Sequence, residues 1–252
     1  DPAYFYQLND KIEFDTIFAD LLKRRFLDLR KTDAAGLRDF CAGTEAIFCK
    51  PAGLCGGEGI QRLVTADIQD YDKLYQQLVQ GGQLLIEEPI CQHPDMCKLC
   101  PDSVNTVRIV TLVTEQGAQM VYALVRMGMG GVCVDNVSSG GMYAPVNEQG
   151  QLYRPAFCDK TGKYYERHPV TGTEITGFRI PLFDQALELC RTASRRVEAH
   201  LKYIGWDVAI TPDGPVLVEG NNLPGYDMCQ NAGHVDEGML PRFEKLLGRP
   251  IM

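Results

Sequence analysis

The sequence predicts an α+β protein, and three observations lead to this fold class. Apolar residues recur at helical spacing in three segments, which span residues 11–30, 67–80 and 183–204. Two short apolar runs are typical of strands, at residues 45–50 and 84–90. Two longer segments with a central turn predict hairpins, at residues 104–127 and 205–221. Because helices, strands and hairpins alternate along the chain, all-α and all-β folds are excluded.

Composition and charge limit the class of protein. The chain has 252 residues, of which 45% are hydrophobic and 23% are charged, as in an ordinary globular protein of one large or two small domains. Its net charge of -8 argues against nucleic acid as a partner. No apolar run approaches the roughly 18 residues that a membrane span needs. We therefore expect a cytoplasmic protein with no membrane span.

The ten cysteines have two interpretations. Without a secretory signal pattern, we expect reduced thiols that fill small apolar positions. One cluster, however, has the residue types of a zinc site: Cys91, His93, Cys97 and Cys100. The spacing of Cys97 and Cys100 suits zinc, whereas that of Cys91 and His93 is too tight for a second ligand pair. The sequence leaves zinc binding open.

The hairpin at residues 205–221 predicts a metal site. A turn at residues 212–214 would place Asp207 directly opposite Glu219, with Asn221 on the same face. Two opposed carboxylates are destabilising unless a positive charge lies between them. Oxygen donors of this kind suit a hard cation such as Mg²⁺. The alternative is a solvated sheet face whose acids pair with lysines elsewhere.

The hairpin at residues 104–127 predicts an anion site. A three-residue loop, Glu115 to Gly117, would pair Arg108 with Leu124 and would put Arg126 on the same face. Two guanidinium groups on one face favour a bidentate anion such as phosphate or a carboxylate. The alternative is a pair of surface ion pairs.

A glycine-rich segment follows the strand at residues 45–50. Its glycines can let backbone amides approach an anion, and they are Gly53, Gly56, Gly57 and Gly59. Lys50, at the strand end, can supply the counter-charge. The segment has neither the Walker ending nor the dinucleotide-binding spacing, so a glycine-rich turn without a ligand is equally compatible with these residues.

Two further segments contain polar groups that can bind a ligand. The strand at residues 84–90 ends in Glu87, Glu88, Pro89 and Ile90, where the main chain can contact an adenine edge. The loop from Asn136 to Tyr143 has amides and hydroxyls that can orient a substrate. A plain strand end and a simple connector are the respective alternatives.

Taken together, these segments resemble the ATP-grasp superfamily. The sequence from Asp207 through Glu219, Asn221 and Gly225 is similar to its metal-binding segment, and Lys50 with the following glycines resembles its phosphate lysine and covering loop. The segment from Glu87 to Ile90 resembles its adenine connection. Lys11 resembles a second nucleotide lysine, and four residues resemble its phosphoryl-binding groups: Arg108, Arg126, Asn136 and Ser139. The nearest branch is the sugar-transfer-associated, α-L-glutamate-ligase-related one, over residues 9–230.

The resemblance implies a fold and an activity. It implies an ATP-grasp fold of two α+β subdomains that clasp the nucleotide, at residues 1–88 and 89–252, with the usual amino-terminal domain largely missing. It also implies ATP and Mg²⁺, or Mn²⁺, as cofactors of a ligase. That ligase would join a small or sugar-linked carboxylate to an amine through an acyl-phosphate, as in cell-surface polysaccharide synthesis. The alternatives are a kinase that phosphorylates a sugar hydroxyl and a silent nucleotide-binding module; the oligomeric state is not predicted.

Overall fold

The computed structural model describes residues 1–53, 58–130, 140–233 and 238–251. The chain forms two compact units. The first consists of Tyr6–Ile90, and the second combines Asp1–Phe5 with Cys91–Met252. The two units are compact, but compactness does not show that a unit binds nucleotide. The functional subdomains expected at residues 1–88 and 89–252 therefore stay a prediction.

The first unit is a four-stranded antiparallel sheet with helices. Its helices are α1 (Tyr6–Asn9), α2 (Lys11–Ile17), α3 (Ala19–Leu22), α4 (Ala34–Cys41) and α5 (Tyr71–Gln80). Its strands are β1 (Phe26–Asp28), β2 (Ala46–Lys50), β3 (Gln61–Val64) and β4 (Leu85–Glu87), in the order β1-β4-β2-β3. Leu37 and Phe40 of α4 and Leu78 of α5 pack on Ile47 and Ile86 of the sheet. This apolar contact positions β2 and β4, whose ends contain Lys50 and Glu87.

The helix predicted at residues 11–30 is confirmed only in its first part and is wrong beyond Leu22. Helix α2 ends at Ile17 and α3 at Leu22, and Lys23 follows in the left-handed conformation with φ of +51°. That conformation is uncommon for a residue with a side chain and cannot continue a helix. The chain then enters β1, where Phe26 pairs with Glu87. Pairing with β4 therefore overrides the helical spacing of the apolar residues.

The second unit is built on a seven-stranded antiparallel sheet. Its strands are β5 (Val107–Thr114), β6 (Gly117–Met127), β7 (Met142–Val146), β8 (Ala156–Cys158), β9 (Lys163–Tyr165), β10 (Tyr203–Thr211) and β11 (Gly214–Asn221), in the order β11-β10-β5-β6-β7-β8-β9. Its helices are α6 (Pro94–Cys97), α7 (Phe183–Val197), α8 (Asp227–Gly233) and α9 (Leu240–Leu247). Trp206 of β10 donates its indole N–H to Thr111 Oγ1 at 3.0 Å and to Ser194 Oγ of α7 at 3.2 Å. Helix α7 is thereby fixed on the sheet.

Both hairpins of this sheet have shorter turns than the sequence predicts. Thr211 pairs with Gly214, and Thr114 pairs with Gly117, so each loop has two residues and not three. A β-bulge then shifts each register by one residue, between Asp207 and Val208 in the first hairpin and between Val110 and Thr111 in the second. A bulge adds one unpaired residue to one strand, which restores the predicted pairing beyond it.

No helix in the described ranges combines the length and the apolar character that crossing a bilayer requires.

Candidate functional site

Asp207 lies at the centre of a row of polar side chains in the second unit. On β10 it pairs with Glu219 of β11, as predicted, and with Arg108 of β5 on its other side. Arg108 donates Nη2 to Oδ2 at 3.0 Å and Nε to Oδ1, and Arg126 of β6 donates Nη2 to Oδ2 at 2.7 Å. The predicted acid pair and the predicted arginine pair are therefore one cluster.

The charge of Asp207 is balanced within this cluster. Its side chain is fully buried, and the two arginines are less than one tenth exposed. Burial by itself raises the pKa of Asp207, but the two guanidinium groups outweigh burial and lower it well below its ordinary value. Arg126 also donates Nε to Thr106 Oγ1 at 3.0 Å, which fixes its orientation. Asp207 is thus an ionised anchor for both arginines.

Glu219 and Asn221 form the more open end of the row, and both are half-buried. Burial, followed by the negative charge of Asp207, raises the pKa of Glu219. Asn221 donates Nδ2 to the carbonyl oxygen of Gly205 at 3.3 Å and toward Glu219 Oε1 at 3.5 Å. Because both contacts use the amide nitrogen, the amide oxygen stays available as a ligand.

Gly205 allows the segment after β11 to approach this row closely. A Cβ atom at this position would lie 2.6 Å from Pro224 Cβ and 3.1 Å from Arg108 Cδ. Both distances are shorter than ordinary van der Waals contact, so a side chain would displace one neighbour. Because Gly205 has no side chain, Pro224 can lie next to Arg108.

The donor set at the open end fits a hard cation. Glu219 offers a carboxylate beside a second carboxylate, and Asn221 offers an amide oxygen, which are the ligands that Mg²⁺ prefers. The arginines make three hydrogen bonds with Asp207, whose carboxylate also contacts that of Glu219, so the two acids meet at this end of the row. No group of three or more His, Cys, Asp or Glu side chains among the described residues is arranged to hold a metal ion. Asn221 and non-protein oxygens would therefore have to complete the coordination.

In the first unit, Lys50 lies at the end of β2 and forms an ion pair with Glu87 of β4. Arg24 binds the other oxygen of Glu87, with Nε to Oε1 at 3.0 Å. Burial raises the pKa of Glu87, but Arg24 and then Lys50 outweigh it and lower the pKa well below its ordinary value. The side chain of Glu87 is therefore the counter-ion of two cations, and its predicted contact with adenine stays a prediction for the main chain.

Lys11 and the start of the glycine-rich segment are brought together. The backbone N–H of Lys11 donates to the carbonyl oxygen of Ala52 at 2.9 Å. Asp10 caps the same helix by accepting from the N–H groups of Ile12 at 2.8 Å and Glu13 at 3.2 Å. The positive end of α2 thus lies beside the segment that begins at Lys50.

Two of the four predicted glycines are described, and they lie in different surroundings. Gly53 is exposed, and no atom would lie within 4 Å of a Cβ there. Gly59 has a φ of +73°, and its carbonyl oxygen accepts from Gln83 Nε2 at 2.7 Å. Gly56 and Gly57 lie outside the described residues.

The other predicted nucleotide and substrate residues are only partly described. Glu88 pairs with Arg25, with Nε to Oε1 at 2.6 Å, and its backbone N–H donates to the carbonyl oxygen of Arg25 at 3.1 Å. Ile90 is half-buried at the end of the first unit. Asn136 and Ser139 lie outside the described residues, so their roles stay predictions.

The cysteine and histidine cluster has local structural contacts. His93 Nδ1 accepts from the N–H of Asp95 at 3.1 Å and so caps α6. Ser103 Oγ donates to Cys100 Sγ at 3.6 Å, Cys100 is buried, and Cys91 is exposed. The cysteines of the described ranges are free thiols, and these ranges contain no metal-binding group of three or more such side chains.

Two buried residues of the first unit escaped the sequence analysis. The apolar spacing places Arg24 inside the predicted helix, but Arg24 lies beyond the end of α3, and its partner Glu87 is 63 residues away. Asp15 lies on α2 and is 1% exposed. Burial, followed by the charge of Glu87, raises the pKa of Asp15 to about 8. The one signal for Asp15 in the sequence is its position among apolar residues of a helix, because an acid buried there needs a partner.

Several solved structures have a similar fold, and the three described next are a ligase and two synthetases. The ATP-grasp ligase PsnB, complexed with precursor peptide PsnA2 and AMPPNP, has a TM-score of 0.56 at 16% identity, over 97% of this chain and 60% of that chain. D-alanyl-alanine synthetase A from Vibrio cholerae O1 biovar eltor str. N16961 has a TM-score of 0.51 at 14% identity, over 97% and 62%. D-cycloserine synthetase DcsG has a TM-score of 0.54 at 14% identity, over 97% and 70%.

These similarities confirm the predicted ATP-grasp fold, and the chain spans about 60% of the length of the PsnB structure. No curated protein sequence matches the chain. The family described as sugar-transfer associated ATP-grasp matches residues 3–246, nearly the whole sequence. The predicted resemblance is thereby confirmed, and the chain belongs to the sugar-transfer associated ATP-grasp family.

Proposed function

We propose that the protein is an ATP- and Mg²⁺-dependent ligase that joins a carboxylic acid to an amine through an acyl-phosphate. The observation that carries this proposal is the row of Glu219, Asp207 and Arg108, with Arg126 and Asn221 beside it. The row combines oxygen ligands for a hard cation with two guanidinium groups for an anion. Such a combination suits the transfer of a phosphoryl group, where charge builds up on several oxygens.

In the second unit, Asp207, Glu219 and Asn221 would hold the metal. Bound Mg²⁺, or Mn²⁺, neutralises the charge of the phosphates during transfer. Arg108 and Arg126 would stabilise the transferred group, for which planar guanidinium groups are suited. These residues act by position and charge, so the reaction needs no nucleophilic side chain.

In the first unit, Lys50 and Lys11 would contact the α- and β-phosphates. The glycine-rich segment, with Gly53, Gly56, Gly57 and Gly59, would cover these phosphates with backbone N–H groups. The main chain at Glu87, Glu88 and Ile90 would contact the adenine. The backbone contact of Lys11 with Ala52, at 2.9 Å, supports a shared role for the lysine and the segment.

For the substrates, we propose chemical classes. PsnB is complexed with a precursor peptide, and another similar structure is a D-alanyl-alanine synthetase, so small acids and amines are the first candidates. Because the family is described as sugar-transfer associated, we propose sugar-linked acids and amines, as in cell-surface polysaccharide synthesis, as the next candidates. Asn136 and Ser139 would contact the acyl-phosphate. Use of ATP and the free thiols of the described cysteines support a cytoplasmic location.

The test is to trap the acyl-phosphate with hydroxylamine. The protein is incubated with ATP, Mg²⁺ and single acids from a panel, and hydroxamate is measured by its ferric complex. A ligase is expected to form hydroxamate and free phosphate with at least one acid, and Glu219→Gln is expected to abolish both. Glu115→Gln, in the exposed β5–β6 turn, is the matched control.

Two results would contradict the ligase proposal. A stable phosphoester formed with a sugar, together with ADP and without hydroxamate, would identify a kinase. Nucleotide binding without turnover on any acid of the panel would identify a silent binding module.

A further inference from the structure

Lys50 belongs to a group of four largely buried ionisable side chains in the first unit. We name it the Glu87 cluster, and its members are Asp15, Arg24, Lys50 and Glu87. Lys50 is the most accessible of the four, with 15% of its side chain exposed, whereas the others are at most 4% exposed. Only Lys50 is therefore placed to meet an anion from outside the cluster.

The two cations bind different oxygens of the Glu87 carboxylate. Arg24 contacts Oε1 through both Nε, at 3.0 Å, and Nη2, whereas Lys50 contacts Oε2. Two guanidinium nitrogens on Oε1 restrain that oxygen more than a single ammonium contact would. The contact of Arg24 therefore sets the direction of the oxygen that Lys50 binds.

The backbone holds Arg24 in this position. Lys23 turns the chain in the left-handed conformation, and β1 begins two residues after Arg24. Phe26 of β1 pairs with Glu87, and the carbonyl oxygen of Arg25 accepts from the N–H of Glu88 at 3.1 Å. Pairing between β1 and β4 thus keeps Arg24 beside Glu87.

The balance of charge in the cluster is positive. Asp15 Oδ1 lies 3.9 Å from Arg24 Nη2, and burial raises the pKa of Asp15 to about 8. At neutral pH Asp15 is therefore mostly uncharged, and two cations face the single carboxylate of Glu87. Because Arg24 offsets Glu87, the positive charge of Lys50 is left to attract an anion. Without Arg24, Glu87 would neutralise Lys50 instead.

We propose that Arg24 is a positioning residue for Lys50: it binds one oxygen of Glu87, fixes the carboxylate and offsets its charge, so that Lys50 attracts nucleotide phosphates. This inference rests on the proposed function, because it assigns Lys50 to the phosphates of ATP. Arg24 itself, with 4% of its side chain exposed, acts through Glu87 and Lys50 and does not contact the nucleotide.

The experiment compares binding of AMPPNP and adenosine by calorimetry. Arg24→Gln is expected to weaken AMPPNP binding by about tenfold or more and to leave adenosine binding unchanged, because adenosine has no phosphate. Arg30→Gln is the matched control, since Arg30 pairs with Asp28 in the same unit but is 41% exposed. That control is expected to bind both compounds like the wild type.

A second substitution separates positioning from folding. Adding Glu87→Gln to Arg24→Gln removes the carboxylate that neutralises Lys50, so the double variant is expected to regain most of the lost AMPPNP affinity. Arg24→Lys, which keeps the charge, is expected to retain part of it. A loss equal for adenosine and AMPPNP, or no recovery in the double variant, would mean that Arg24 serves only to support the fold.

The outcomes also distinguish this inference from the proposed function. Wild-type protein that binds no AMPPNP would refute the proposed function and, with it, the role of Arg24. Wild-type protein that binds AMPPNP, together with an Arg24→Gln variant of equal affinity, would refute the positioning role alone.

Discussion

Replacing Asp207 with asparagine tests how the second unit uses its buried charges. The carboxylate accepts three hydrogen bonds, two from Arg108 and one from Arg126. Asparagine has one acceptor oxygen, and its NH₂ group would face a guanidinium donor, so at least one arginine loses its partner. Losing one member of a buried ion pair costs about 3–5 kcal/mol. Because one acceptor remains, we expect about 3 kcal/mol, or about 6–12 °C in Tm.

The assay is urea unfolding followed by tryptophan fluorescence. The chain has one tryptophan, Trp206, which is buried in the same sheet beside Asp207. Glu219→Gln is the matched control, since it changes the neighbouring acid, which is half-buried and lies beside a like charge. We expect that variant to stay within about 1 kcal/mol of the wild type.

An Asp207→Asn variant as stable as the Glu219→Gln control would refute this account of the cluster. The sequence alone presents Asp207 as a metal ligand and so predicts lost turnover with an intact fold. The ion pairs add a loss of stability to that expectation.

Three further predictions concern single positions. Asp15→Asn should flatten the dependence of the unfolding free energy on pH between pH 5 and about 8, as measured by urea denaturation followed by circular dichroism. Gly205→Ala should lower stability by about 1–3 kcal/mol in thermal unfolding, because the new Cβ would lie 2.6 Å from Pro224 Cβ. Arg25→Gln should change stability by less than about 1 kcal/mol in urea, because its pair with Glu88 is half exposed; a larger loss would contradict the assignment of that pair to the surface.

The sign of the pH effect follows from the raised pKa of Asp15. Its pKa in the folded protein is about 8, against an ordinary value of 3.8. The stability that the neutral buried carboxyl contributes is fully present below about pH 4 and is lost as the pH rises through 8. The wild type should therefore lose stability from pH 5 to 8, and equal slopes for wild type and variant would contradict a buried neutral Asp15.

The local pattern of the sequence was enough to predict two cross-strand pairs. Asp207 lies opposite Glu219 and Arg108 lies opposite Leu124, although both turns have one residue fewer than predicted. The bulge in each hairpin compensates for the shorter turn. The predicted register is therefore correct at the site, beyond each bulge, and wrong by one residue near each turn.

Contacts between distant segments could not be predicted in this way. The convergence of Arg108 on Asp207 depends on the pairing of β5 with β10, and the two residues are 99 positions apart. Arg24 and Glu87 are 63 positions apart, and the spacing of apolar residues assigned Arg24 to a helix. Strand pairing decides between helix and strand there, and it depends on a partner that local periodicity does not show.

The central claim is that the protein binds ATP through a metal ion held by Glu219. Calorimetry of AMPPNP, with and without Mg²⁺, on the wild type, Glu219→Gln and the Glu115→Gln control tests it most directly. The account predicts that the wild type binds AMPPNP with micromolar affinity and only in the presence of Mg²⁺. In Glu219→Gln this binding should weaken by about tenfold or more, which is roughly 1.4 kcal/mol. In the control it should be unchanged. Wild-type binding without any dependence on Mg²⁺, or equal affinity in Glu219→Gln, would contradict it.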